Sequence, residues 1–467
     1  FAQTVVSQSF HNPDATPLEA IYRFPLPQGA SLSDVSLFLG EQQIDGEVVE
    51  KERARSLYEQ EKAAGKAAAL AEKDGYRWFE FRVHPVLPGG ETRIRIVYYQ
   101  PLEIDTGIGR YVYPLEDGGT DDAAASGFWA GTNEKVAGTF SAEFELKSAW
   151  PIADVRLPGH EAAAVTEKIE AGHYRVRLEQ KDASLNRDLV FYYKLEENLP
   201  GRVEVVAYRA DENEPGTFMM VVTPGIDLKP ITGGADYVYV LDTSGSMRGK
   251  INTLSDGVSK VLGQMDSRDR FRVIAFNNRA SDVTGGWREA TPGNVEDAIR
   301  KVGSLRPEGG TNVYDGLQLA LGGLDDDRAT SVVLVTDGVT NQGVVDPQSF
   351  HKLMKSHDVR VFGFLLGNSA NWPLMRTICD ASGGFYSGVS NSDDIIGSIM
   401  QAKSKIVHES LHDTKLSISG VKTFDRGDEL LGKVYRGEQL VVFGKYQNGG
   451  EAELEMKARL TGEDKVY

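Results

Sequence analysis

Three short stretches of this chain place oxygen-bearing side chains where the backbone can bring them to one point. Asp242-Thr243-Ser244-Gly245-Ser246 follows the apolar run Tyr237-Val238-Tyr239-Val240-Leu241, which reads as a buried parallel strand. A D-x-S-x-S loop at the end of such a strand offers one carboxylate and two hydroxyls. Gly309-Gly310-Thr311-Asn312 offers a third hydroxyl on a glycine loop, and Val333-Leu334-Val335-Thr336-Asp337-Gly338 is a second buried run ending in a carboxylate. Hard oxygen donors with few charges and no His or Cys suit a small hard cation, above all Mg2+. Mn2+ and Ca2+ are alternatives, although Ca2+ asks for more ligands than Asp242, Ser244, Ser246, Thr311 and Asp337 give. The competing account spends the hydroxyls on capping the following helix. Ser246 is placed for that, but a cap gives Asp337 no reason to arrive at the same point.

D-x-S-x-S, then G-G-T-N, then T-D-G, in that order, resembles the von Willebrand factor A domain and its metal-ion-dependent adhesion site. The resemblance implies direct coordination by Ser244, Ser246 and Thr311, with Asp242 and Asp337 acting directly or through water. It also implies a position open to a ligand, usually an Asp or Glu carboxylate of a partner protein. Integrin-like A domains carry acidic residues just after D-x-S-x-S. This chain has Met247 and Arg248 there, so no adjacent second ion is expected.

The elements that must hold these residues run from about Gly234 to Val407. Ile251, Leu254, Val258, Val261, Leu262 and Met265 fall on one helical face. Strands are expected over Asp269 to Phe276 and Arg360 to Leu365. Further helices are expected over Pro292 to Ser304, Tyr314 to Leu321, Asp346 to Ser356 and Ser392 to Ile406. Such alternation implies a doubly wound sheet, which binds ligands beyond its C-terminal strand ends.

The first hundred residues read as strands around one helix. Strands are expected at Ala20 to Pro27, Val35 to Leu39, Trp78 to Val83 and Thr92 to Tyr99, and a Glu-, Lys- and Ala-rich helix over Glu47 to Ala71. Phe24-Pro25-Leu26-Pro27, Ala54, Tyr58, Gly65 and Leu70 on the helix, Phe81 to Val83, Leu87-Pro88-Gly89 and Ile94 to Tyr99 resemble the vault protein inter-alpha-trypsin (VIT) domain. From about Phe128 to Val222 the pattern is all strand, with runs at Phe140 to Leu146, Tyr174 to Leu178, Leu189 to Tyr193 and Val203 to Tyr208. Asp121 to Gly127 is a small-residue linker. Leu185-Asn186-Arg187-Asp188-Leu189-Val190 resembles a segment of proteins that join VIT and A domains. Strands at Leu416 to Val421, Leu440 to Tyr446 and Ala452 to Leu460 are too few for a sheet of their own. The economical solution completes the sheet begun near Phe140 and makes the A domain an insertion, as in integrin β chains and inter-alpha-trypsin heavy chains. The expected fold is multidomain α+β: a VIT β-sandwich with one helix (1–120), a β-sandwich (121–232 plus 410–467) and an inserted doubly wound α/β A domain (233–409).

Two motifs compete with this reading. His408-Glu409-Ser410-Leu411-His412 is a literal H-E-x-x-H, which on a helix gives two zinc ligands and a general base. It falls at a domain junction, a strand is expected just beyond it, and no His follows His412, so a zinc protease, with Glu429 as a conceivable third ligand, is the alternative function. Asp325-Asp326-Asp327 reads as a solvated loop, not a calcium site.

The 467 residues, with 40% hydrophobic and 25% charged content, suit soluble globular domains. A net charge of −17 argues against nucleic acid and anionic membranes as partners. No apolar run approaches the ~18 residues of a membrane span, and Cys379, the one cysteine, excludes an internal disulfide. The chain begins inside an expected strand, so trimming or processing is expected at its ends. The lone cysteine and mixed style resemble bacterial surface homologues of the heavy chains. The expected function is non-enzymatic, metal-dependent recognition or adhesion outside the cytoplasm: secreted, periplasmic or at the cell surface. The expected partner is a protein presenting an acidic side chain, and a structural surface scaffold is the third possibility.

Overall fold

The computed structural model describes residues 1–25, 27, 29–39, 42–46, 51–66, 68–74, 78–102, 104–115, 136, 138–196, 202–211, 213–223, 228, 234–324, 330–338, 340–368, 370–390, 398, 403, 405–406, 408, 410–427, 433–460 and 463–466. The linker 121–127, Asp325-Asp326-Asp327, Glu409, Glu429 and most of the helix expected over 392–406 lie outside the described residues.

Strands β1 (Ala2–His11), β2 (Leu18–Pro25), β3 (Ser31–Leu39), β4 (Gln42–Asp45), β5 (Ala68–Asp74), β6 (Trp78–Val86) and β7 (Glu91–Gln100) come first, with helix α1 (Lys51–Ala63) between β4 and β5. They form two antiparallel sheets, β1-β7-β3-β4 and β2-β6-β5. Phe24, Phe81, Ile96 and Tyr98 are buried between them. The helix is shorter than its composition suggests. Gly65 takes φ +70°, its N–H bonds Lys62 O, and Lys66 N–H bonds Glu61 O. That glycine stop ends the helix, so Leu70, expected on the helix, lies on β5. There Ala68 and Leu70 alternate inward beneath Tyr58.

Next come β8 (Ile104–Asp105), β9 (Ile108–Tyr113), β10 (Thr139–Lys147), β11 (Ile152–Arg156), β12 (Ala164–Glu170), β13 (His173–Lys181) and β14 (Leu189–Leu195). Sheets β10-β13-β12 and β11-β14-β9-β8 enclose Tyr111, Tyr174, Leu178 and Phe191. Strands β15 (Arg202–Tyr208) and β16 (Gly216–Thr223) follow, and their sheet is finished only at the far end of the chain.

Between those two halves lie β17 (Asp236–Asp242), a 3-10 turn at Gly245–Gly249, α2 (Ile251–Leu262), β18 (Arg270–Phe276), β19 (Ala280–Asp282), β20 (Arg288–Glu289), α3 (Pro292–Gly303), α4 (Val313–Ala320), β21 (Thr330–Thr336), α5 (Pro347–Lys355), β22 (Val359–Leu366), α6 (Trp372–Ser382) and β23 (Tyr386–Val389). The sheet order is β19-β18-β17-β21-β22-β23. Strands β18, β17, β21, β22 and β23 are parallel. Every residue of β17 and β21 is buried, because helices cover both faces. Tyr237, Tyr239 and Leu241 point toward α2 and α3, and Val238 and Val240 toward α4, α5 and α6. Cys379 is buried in the second of these cores. Helix α6 and strand β23 were not expected from the sequence.

The chain returns with β24 (His412–Ser419), β25 (Thr423–Phe424), β26 (Leu440–Tyr446), β27 (Glu453–Leu460) and β28 (Glu463–Val466). They do not complete the sheet begun near Phe140. β26 pairs with β16, giving β15-β16-β26-β25, and β24-β27-β28 is a sheet of its own. Val442 opposite Met220 and Met456 share a third core. The strands expected in one sandwich, 121–232 plus 410–467, are therefore divided. Those up to Leu195 close with β8 and β9, borrowed from the segment expected in domain 1–120. Only β15 and β16 join the C-terminal strands. Alternation marks a strand's inward face but not its partner.

Candidate metal centre

β17 and β21 are adjacent and parallel, so their C-terminal ends, Asp242 and Asp337, emerge side by side. Both carboxylates are fully buried. Asp242 Oδ1 accepts the Ser244 N–H at 2.8 Å and Oδ2 accepts the Thr336 hydroxyl at 2.5 Å. Ser246 Oγ donates to Asp337 Oδ1 at 2.7 Å and lies 3.0 Å from Ser244 Oγ. Capping does not occupy these hydroxyls: Ser244 stands at the N-cap of the 3-10 turn without a side-chain cap bond, and the α2 N-cap is Lys250. Burial and then the nearby Asp337 push the Asp242 carboxyl up to about 7, against the pull of its hydrogen bonds from Ser244 and Thr336.

The glycine loop closes the site from the side. Gly245 N–H bonds Gly309 O at 3.0 Å, and Gly309 turns with φ +74°. Thr311 is fully buried. Its N–H donates to Asn341 Oδ1, and its carbonyl accepts the N–H groups of Asn341 and Gln342 and the Thr340 hydroxyl. A Cβ on Gly338 would lie 2.8 Å from Thr311 Oγ1, so the T-D-G strand end presses on the threonine directly. Asn312 caps α4 by accepting the Asp315 N–H. Asp242, Ser244, Ser246 and Asp337 are joined by hydrogen bonds, and Thr311 is brought against Gly338 beside them.

The donor set fits a small divalent cation. Octahedral oxygens about 2.1 Å from Mg2+ stand about 3.0 Å apart along each edge. Ser246 Oγ lies 3.0 Å from Ser244 Oγ and 2.7 Å from Asp337 Oδ1 through hydrogen bonds that an ion would replace. Among the described residues no three His, Cys, Asp or Glu side chains gather as a metal cluster. The candidate is thus a two-carboxylate, three-hydroxyl site. Met247 packs in the hydrophobic core.

Sequence reasoning missed Lys250, whose Nζ donates to Asp337 Oδ2 at 2.6 Å. A cation at a helix N-terminus opposes the helix dipole, and that mismatch is the signal that could have found it. It also missed Thr336 and Asn341, whose bonds fix Asp242 and Thr311. Of the described residues in the H-E-x-x-H stretch, His412 opens β24, and His408 Nε2 lies 3.2 Å from Arg436 Nη1.

Residues 1–98 match the vault protein inter-alpha-trypsin domain and residues 235–388 the von Willebrand factor type A domain. Human inter-alpha-trypsin inhibitor heavy chain H2 is 22% identical over 465 residues, covering 95% of this chain and 47% of its own length. Human heavy chain H3 is 23% identical over 478 residues, covering 95% of this chain and 50% of its own. The chain spans about half the length of the curated relatives it matches. Among solved structures, the von Willebrand factor type A protein from Catenulispora acidiphila aligns with TM-score 0.39 and 15% identity, covering 58% of this chain and 73% of that one. The chain carries a VIT domain followed by a von Willebrand factor type A domain, and is similar across most of its length to the inter-alpha-trypsin inhibitor heavy chains.

Proposed function

We propose that this chain recognises an acidic group on a protein partner, reversibly and without catalysis, through a divalent cation held by Asp242, Ser244, Ser246, Thr311 and Asp337. The observation that supports it most is the hydrogen-bonded convergence of Ser244 Oγ, Ser246 Oγ and Asp337 Oδ1 beside the buried Asp242 carboxylate, at the ends of two adjacent strands. Mg2+ is the favoured ion, with Mn2+ or Ca2+ as substitutes. A bound ion supplies an electrophile with an exchangeable position. The chain's part is to hold Asp242 with Ser244 N–H and Thr336, to aim Ser246 between Ser244 and Asp337, and to press Thr311 against Gly338. A net charge of −17 disfavours promiscuous anion capture, so the ion is the local feature that attracts a carboxylate.

We place the protein outside the cytoplasm, secreted, periplasmic or on a cell surface, as its likeness to the heavy chains suggests. Among the described residues no helix is long and apolar enough to cross a membrane. The zinc-protease alternative is disfavoured because His412 lies on a strand and an arginine faces His408. Retention of a surface-protein partner by the immobilised chain tests the proposal. Retention is expected with Mg2+ and lost with chelator or in Thr311→Ala; full retention in chelator contradicts it and favours a scaffold.

A further inference from the structure

Lys250 presents a full positive charge to the same carboxylate that the metal centre uses. Its ammonium donates to Asp337 Oδ2 at 2.6 Å, while Ser246 donates to Oδ1 at 2.7 Å. The lysine side chain is 7% exposed and that of Asp337 is fully buried, so water screens the pair little. The lysine also stands at the N-cap of α2, where the positive end of the helix disfavours a cation. A lysine kept in such a place is kept there by the anion.

We propose that Lys250 is a built-in cation of the metal centre, which weakens the site's hold on its divalent ion and stabilises the ion-free form. The inference rests on reading the site as a cation site. Two carboxylates, Asp242 and Asp337, are enough to neutralise a divalent ion. With both carboxylates ionised, Lys250 leaves the loaded site one net positive charge and gives the ion-free site one net negative charge instead of two. The first effect makes ion binding weaker. The second relieves repulsion between two carboxylates buried at adjacent strand ends, in a medium where such repulsion is strong.

The competing role for Lys250 is orientation alone, in which its hydrogen bond merely turns Asp337 Oδ1 toward Ser246. Charge and orientation separate in two substitutions. Lys250→Gln removes the charge and keeps a hydrogen-bond donor for Oδ2; Lys250→Met removes both. Mg2+ titration of the full chain by calorimetry, with thermal unfolding in chelator, reads the result. Both variants are expected to bind Mg2+ on the order of tenfold more tightly than wild type and to unfold at lower temperature in chelator. Mg2+ affinity in Lys250→Gln that is unchanged or weaker overturns the proposal, whatever Lys250→Met does. If wild type takes up Mg2+ and the variants match it, the Lys250 role fails and the metal centre stands. If neither wild type nor the variants take up Mg2+, both fail.

Discussion

Asp242 shows how one buried carboxylate ties metal affinity to pH. In an unfolded chain an Asp ionises near pH ~3.9. In the ion-free fold, burial and then Asp337 raise that threshold toward neutrality. Below about pH 4 both states hold the proton, and the group's contribution to stability is fully present. As pH rises through this window the unfolded chain releases the proton while the fold retains it, so that contribution is lost. Divalent ions need the carboxylate, so their affinity runs the opposite way. In chelator, the thermal stability of wild type relative to Asp242→Asn is expected to fall from about pH 5 to 7.5, while wild-type Mg2+ affinity rises. A difference that stays flat across this range would show that Asp242 does not titrate there.

At the level of elements, the strand ends were legible and the strand partners were not. Tyr237 to Leu241 and Val333 to Val335 are apolar without interruption because helices cover both faces of β17 and β21, and each run stops at a carboxylate that must face an opening. Nothing comparable in the sequence pairs β9 with β14 or β26 with β16, since the registers Tyr111↔Phe191 and Met220↔Val442 join residues far apart in the chain. Helix α6 carries its start signals in the sequence: Asn371 caps it and Pro373 sits in its first turn. The end of α1 at Gly65 was hidden by an alanine-rich composition that continues into β5. Two element-level substitutions test the positioning argument. Gly338→Ala sets a methyl group 2.8 Å from Thr311 Oγ1 and is expected to weaken Mg2+ binding while leaving circular dichroism unchanged; wild-type affinity would show that Thr311 has room to move. Asn312→Ala removes the α4 cap and is expected to cost about 1 kcal/mol in denaturant unfolding.

Across the whole molecule, two buried charges join the A domain to its neighbours. Asp188, from the segment Leu185 to Val190, accepts Leu115 N–H at 2.7 Å, Asn368 Nδ2 at 3.0 and 2.9 Å and Ser390 Oγ at 2.6 Å. Asn368 and Ser390 follow β22 and β23, so one carboxylate fixes that end of the parallel sheet to the preceding sandwich. Lys405 bridges Asp105 at 2.8 Å and Glu438 at 3.2 Å, one from each of the two flanking β regions. Burial pulls its pKa down, but Glu438 and Asp105 outweigh that and leave it raised. Asp105 and Glu438 stay partly exposed when Lys405 is removed, so Lys405→Met is expected to cost about 1–2 kcal/mol. Asp188→Ala is expected to split one calorimetric unfolding transition into two, as the A domain melts apart from its neighbours. A single unshifted transition in both variants would show that these contacts carry no coupling.

The central claim is that oxygens from two strand ends and one glycine loop hold a single divalent ion. Calorimetric titration of the chelator-treated full chain with Mg2+ tests it most directly, comparing wild type with Asp242→Ala, Ser246→Ala and Thr311→Ala. The account predicts one ion per wild-type chain and, in each folded variant, affinity weaker by about tenfold or more. Equal affinity in wild type and the three variants, or no uptake by wild type, would contradict it.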